Sequence, residues 1–119
     1  IWAAAEWLLA VRSLFVREEG ETLLIGSGVP AHWHYDHERL TYGPTWTPWG
    51  KISLEFEFTP ESADVYWDAD WYEQAPLGTI ALPCFDRMTV DLSQRQGSAT
   101  VIWNHTCKRP NSQPEPVRN

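Results

Sequence analysis

The stretch KISLEFEFT, Lys51 to Thr59, alternates strictly: Ile52, Leu54, Phe56 and Phe58 are apolar, while Lys51, Ser53, Glu55 and Glu57 are polar. Successive side chains of an extended segment point to opposite faces, so this is a strand with one side in a core and the other in water. Comparable short runs flank it: TLLIG at 22–26, RLTYG at 39–43, ADVYWDA at 63–69, GTIALP at 78–83, RMTVDL at 87–92 and SATVIWN at 98–104. GPTWTPWG, TPES, QAPLG and RQGS supply turns between them. About seven short strands with no helical periodicity among them predict a mainly β protein, an antiparallel β-sandwich.

One N-terminal α-helix precedes that pattern. IWAAAEWLLAVRSLFVRE is built from strong helix formers, with no Gly or Pro before Gly20, which predicts a helix ending near Glu19 with Gly20 as its stop. On a helical wheel Glu6, Ser13 and Arg17 share one strip, and Trp2, Trp7, Leu8, Leu9, Val11, Leu14, Phe15 and Val16 spread around most of the rest. A helix resting on one sheet needs an apolar stripe of about 100°, so this girdle predicts neighbours on two sides. Nothing after it reads as a second helix, and Ile1-Trp2 carries no capping residue. The expectation is therefore that the chain begins inside a helix of a longer protein, and that Trp2, Trp7, Leu8 and Phe15 face helices outside it or a second copy. Residues 1–19 are read as that terminal helix, 20–108 as the sandwich, and the proline-rich 109–119 as a disordered or extended tail.

With 119 residues, 43% of them hydrophobic and 21% charged, the chain suits one globular domain. Sixteen acids against nine bases, a net charge of −7, oppose nucleic acid and anionic membrane as partners. No run approaches the roughly 18 apolar residues of a membrane span, and the start lacks the basic region of a signal peptide. Export would have to be directed by residues outside this chain, and the compartment stays open. Cys84 and Cys107 lie too far apart for a CxxC motif, which leaves one bridge as an option.

Three groups could carry chemistry. If AHWHYD were extended, His32, His34 and Asp36 would project to one side, as a metal site requires; but the segment follows Pro30 and has no distant fourth ligand. It reads as a loop, and neither metal nor cofactor is assigned. Asp64, Asp68 and Asp70 sit among aromatics in DVYWDADW, yet Asp68 and Asp70 would share one strand face, whereas glycoside hydrolysis needs carboxyls on two sides of the bond. Asn104 to Thr106, NHT, fits a glycosylation acceptor and is given no role. No catalytic residue is assigned. The eight tryptophans ask for packing or stacking partners. Trp46 and Trp49 lie in a Pro/Gly-rich turn; together with Trp67 and Trp71 they are candidate sugar platforms, with Asp68 and Asp70 as polar partners.

The chain also carries Arg12, Val16-Arg17-Glu18 and Gly20, then Gly28-Val29-Pro30 and Trp33, then Pro44-Thr45 before Gly50, and TIALP at 79–83. Across roughly residues 8 to 103 it resembles the junction at the end of six-hairpin (α/α toroid) glycoside hydrolase-like proteins, where the last toroid helix runs into a sandwich. The resemblance implies that the catalytic acids belong to the toroid, so none carries over here. It implies a non-catalytic C-terminal accessory domain, packing on and supporting that catalytic toroid in a carbohydrate-processing protein. The alternative is a carbohydrate-binding module using the surface tryptophans, and a small histidine-dependent metalloprotein ranks last.

Overall fold

The computed structural model describes residues 10–33, 38–104 and 107. The readings placed on Trp2, Glu6, Trp7, Leu8, Leu9, His34, Asp36, His105, Thr106 and the tail 109–119 lie outside the described residues.

Among the described residues, helical residues 10–15 lead into eight strands: β1 (Val16–Glu19), β2 (Thr22–Ile25), β3 (Arg39–Thr47), β4 (Gly50–Phe58), β5 (Ser62–Trp71), β6 (Leu77–Ile80), β7 (Met88–Val90) and β8 (Gln96–Ile102). They form two four-stranded sheets, ordered β1-β2-β6-β7 and β3-β4-β5-β8. One continuous core lies between them, with Leu23, Ile25 and Ile80 from the first sheet and Ile52, Phe56, Val65 and Val101 from the second all at most 2% exposed. In β4 the alternation places Ile52, Leu54 and Phe56 inside, with Phe58 half-buried at the end of the row.

Two expectations about the elements need correction. The helix ends at residue 15, and Val16–Glu19 is a strand paired antiparallel with Thr22–Ile25. Gly20, at φ +64°, opens the two-residue turn between them. A helix C-terminus and a tight hairpin both want a glycine with positive φ, so Gly20 suited either reading. Ladder bonds to β2 and the complete burial of Val16 outweigh a helix propensity worth a few tenths of a kcal/mol per residue, roughly. The sandwich is also not wholly antiparallel: β2 and β6 run parallel, from Thr22↔Leu77 to Ile25↔Ile80. A parallel pair requires a long crossover, and here β3, β4 and β5 supply it by crossing to the other sheet and back.

Helical residues 10–15 and the sandwich are one packed body. Phe15, expected to face helices outside the chain, is instead 6% exposed and stacked on Tyr42, with ring centroids 4.6 Å apart. The carbonyls of Phe15 and Leu14 accept hydrogen bonds from Gly26 N (2.8 Å) and Gly28 N (3.1 Å). A Cβ at Gly28 would stand 2.9 Å from the Leu14 Cα, so this approach requires glycine. Val29 is buried and Trp33 packs on the core, so the GVPAHW turn anchors β2 against the helix end.

At the far end a disulfide joins Cys84 to Cys107, with Cα atoms 5.5 Å apart. It fastens the β6–β7 connection to the segment after β8, where Phe85 meets Trp103 edge-on at 5.2 Å.

Candidate functional site

The outer face of the β3-β4-β5-β8 sheet collects the polar half of each alternating strand. Across the ladder Arg39, Glu57, Asp64 and Thr100 form one row, and Thr41, Glu55, Tyr66 and Ser98 the next. Further along, Ser53, Asp68 and Gln96 are aligned, then Trp46, Lys51 and Asp70. The face is concave: a groove of about 550 Å³ lies among Arg39, Glu55, Glu57, Tyr66, Asp68 and Gln96. A smaller hollow of about 170 Å³, lined by Lys51, Ser53, Asp68, Asp70 and Arg95, continues it toward Trp46.

Several of its charges are paired. The Arg39 guanidinium reaches Glu57 at 2.6 Å and Glu55 at 3.2 Å. The hydrogen bond from Arg39, and then one from the Tyr66 hydroxyl, holds the Glu57 carboxyl below the usual carboxylate range. The same bond to Glu57, with some burial, raises Tyr66 above an ordinary phenol. Asp68 accepts from Arg95 Nε at 3.4 Å and from Gln96 Nε2 at 3.2 Å. These carboxylates are oriented acceptors with lone pairs left over.

The four candidate tryptophans part company here. Trp67 is 7% exposed, its ring filling the space over Gly97, and it belongs to the core. Trp71 is half-buried and donates its indole N–H to the Leu92 carbonyl at 2.8 Å, tying the end of β5 to the segment after β7. Trp49 is half-buried against the core at the tip of the β3–β4 hairpin. Trp46 alone of the four is exposed, at 59%, and it lies within β3 rather than in the turn. Asp68 and Asp70 are exposed side by side, the strand geometry expected of them.

The partner of Trp46 is a residue that sequence reasoning missed. Tyr72, 64% exposed, lies with its ring near-parallel to Trp46, at 18° and a centroid distance of 6.4 Å. Tyr72 N donates to the Trp49 carbonyl at 2.9 Å, which holds the end of β5 beside the hairpin tip. Inside that tip Thr47 Oγ1 donates to Gly50 O at 2.8 Å and accepts from Trp49 N at 3.1 Å. Arg12 Nη2 donates to the Trp46 carbonyl at 2.9 Å. Lys51 Nζ stands 5.1 Å from the Trp46 ring centroid, within cation–π range. Tyr72 directly follows Trp71, and an aromatic just past a strand end was the available signal.

Among the described residues no group of three or more His, Cys, Asp or Glu side chains is arranged to hold a metal ion, and no helix is long and apolar enough to cross a membrane. His32 is exposed. Compared with family models, curated proteins and solved structures, the chain matches none.

Proposed function

We propose that this chain is a non-catalytic accessory β-sandwich domain of a glycoside hydrolase-like, carbohydrate-processing protein, entered by the last helix of a helical catalytic domain that it braces. The observation that carries the reading is the junction at residues 12–28. Arg12 pairs with Glu18 at 3.1 Å and also holds the Trp46 carbonyl, while Gly26 and Gly28 bond to the last helical carbonyls. A helix held from three directions transmits its orientation to the sandwich as a rigid lever; a flexible linker would not. Arg12, Glu18, Gly28 and Pro30 are among the residues that carry the resemblance to the toroid junction.

The test is to express the whole reading frame in which these residues lie, with and without residues 16–107. Paired helices encoded before Ile1, together with a lower melting temperature and lower polysaccharide hydrolysis on deletion, are the expected results. A frame without helical repeats, or a deletion that leaves stability and hydrolysis unchanged, overturns the proposal.

A second reading, direct saccharide binding, is favoured by the exposed, near-parallel Trp46 and Tyr72 rings.

A further inference from the structure

Large aromatic rings are normally covered, because burying one removes 150–250 Å² from water, roughly. This fold covers Trp49, Trp67, Trp71 and Trp103 at least in part, yet leaves Trp46 and Tyr72 mostly in solvent. Their backbones are nonetheless held firmly, Trp46 by its ladder partner and by Arg12, Tyr72 by Trp49. Exposed rings on a fixed backbone form a pre-organised apolar surface, which needs little ordering when a ligand lands on it. From Lys51, whose Nζ is 5.1 Å from the Trp46 ring centroid, the hollow and then the groove run along β4 as one polar trough, sharing Ser53 and Asp68. Lys51 and Glu57, six residues apart on β4, mark a length of about 20 Å at roughly 3.3 Å per residue.

The chemistry of the trough narrows its occupant. Glu55, Glu57, Asp64, Asp68 and Asp70 outnumber Arg39, Lys51 and Arg95, so a polyanion meets net repulsion. Oriented carboxylates accept hydroxyl hydrogens, while Gln96, Lys51 and the guanidinium edges donate to hydroxyl oxygens. A neutral sugar ring has both complements, a C–H face for an aromatic ring and a rim of hydroxyls that donate and accept. We infer that the outer face of β3, β4 and β5 binds a neutral saccharide chain laid along β4. One sugar stacks on Trp46 and Tyr72, the next is hydrogen-bonded by Asp68 and Asp70, and a further one by the Arg39–Glu57–Tyr66 cluster. The assignment rests on the saccharide-binding reading and adds to it the ligand class, the direction of the chain and Tyr72.

Affinity electrophoresis of the full chain provides the test, in gels containing xylan, mixed-linkage β-glucan, galactomannan or arabinan, with polygalacturonate and an oligolysine peptide as charged comparisons. Retardation by at least one neutral polysaccharide is expected. Trp46→Ala and Tyr72→Ala should each weaken it about tenfold or more, the scale of a lost aromatic contact. Trp46→Phe should restore most of it, and Leu77→Ala, an exposed apolar position on the other sheet, should leave it unchanged. No retardation by any neutral member, or preference for polygalacturonate or oligolysine, defeats saccharide binding itself. Retardation by a neutral polysaccharide that survives both Trp46→Ala and Tyr72→Ala leaves that reading standing and overturns this placement.

Discussion

Trp46 stands opposite Lys51 across the β3–β4 ladder, and a bulge puts it there. From Arg39↔Glu57 to Tyr42↔Leu54 the pairing is regular, then it resumes at Thr45↔Ile52 with one extra residue on β3. Continued without that residue, the register would set Trp46 opposite Gly50 and on the core side, with Leu40 and Tyr42. A one-residue slip exchanges the faces of a strand, so the bulge at Gly43-Pro44 turns the indole from the core to the outer trough.

Gly43 has φ +115°, and a Cβ there would come within 2.8 Å of Ile52 O and the Ser53 Cα. Gly43→Ala is expected to lower stability by about 1–3 kcal/mol, the usual cost of holding such a backbone without glycine. Deleting Pro44 should lower it further, because Trp46 must then enter a core with no space for it. Urea unfolding checks both, and wild-type midpoints for the two variants would rule the bulge out as the determinant of the Trp46 position.

Gly97 lies beneath the Trp67 ring, and a Cβ there would stand 2.5 Å from Cζ2 and 2.6 Å from Cε2. Gly97→Ala should destabilise by about 1–3 kcal/mol through overpacking. Trp67→Phe removes both the clashing atoms and an indole N–H that is buried without a hydrogen-bond partner. The double variant is therefore expected to lose less than the sum of the singles, a coupling readable from a double-mutant cycle. Strict additivity would show that the two residues do not compete for the same space.

The Cys84–Cys107 bridge closes a loop with a sequence separation of 23. Removing it, by reductant or by serine at both positions, should cost about 3 kcal/mol, mainly by freeing the unfolded chain. Thermal unfolding with and without dithiothreitol measures this; identical curves, with both thiols reactive in untreated protein, would contradict the pairing.

Glu57 should give the fold an acid limb. Its carboxyl titrates below the ordinary range in the folded protein, so it binds fewer protons there than in the unfolded chain, and its contribution is present above that range. The contribution fades as pH falls below about 4, through the lowered folded value. Tyr66 acts in the opposite sense: its raised folded value makes its contribution complete below about pH 10 and lost above it. Glu57→Gln should therefore melt lower than wild type between about pH 5 and 9, with the gap shrinking as pH falls below about 4. A stability difference that does not depend on pH would remove the Arg39–Glu57–Tyr66 cluster from this role.

Much of the sandwich was legible locally. Alternation in β4 and β5 identifies which residues meet the core, because the two faces of a strand separate with a period of two whatever the strand pairs with. The solvated positions of Asp68 and Asp70 followed from the same rule. Val16–Glu19 did not, since four residues of mixed propensity become a strand only when β2 lies alongside. The pairings of Trp46 with Tyr72 and of Arg39 with Glu57 were also out of reach, as each joins residues 18 or more apart.

What the amino-acid order determined by itself is the class of the fold and the inward or outward side of each regularly alternating strand, because both depend on neighbours in the chain. The tertiary structure decided which tryptophan meets solvent. Trp46, Trp49, Trp67 and Trp71 look alike as candidates in the sequence, but their exposure depends on ladder register, on one extra residue at Gly43-Pro44, and on whether a partner such as Gly97 or the Leu92 carbonyl is brought beneath the ring. Those are contacts between distant parts of the chain, and they exist only once the two sheets have closed over a common core.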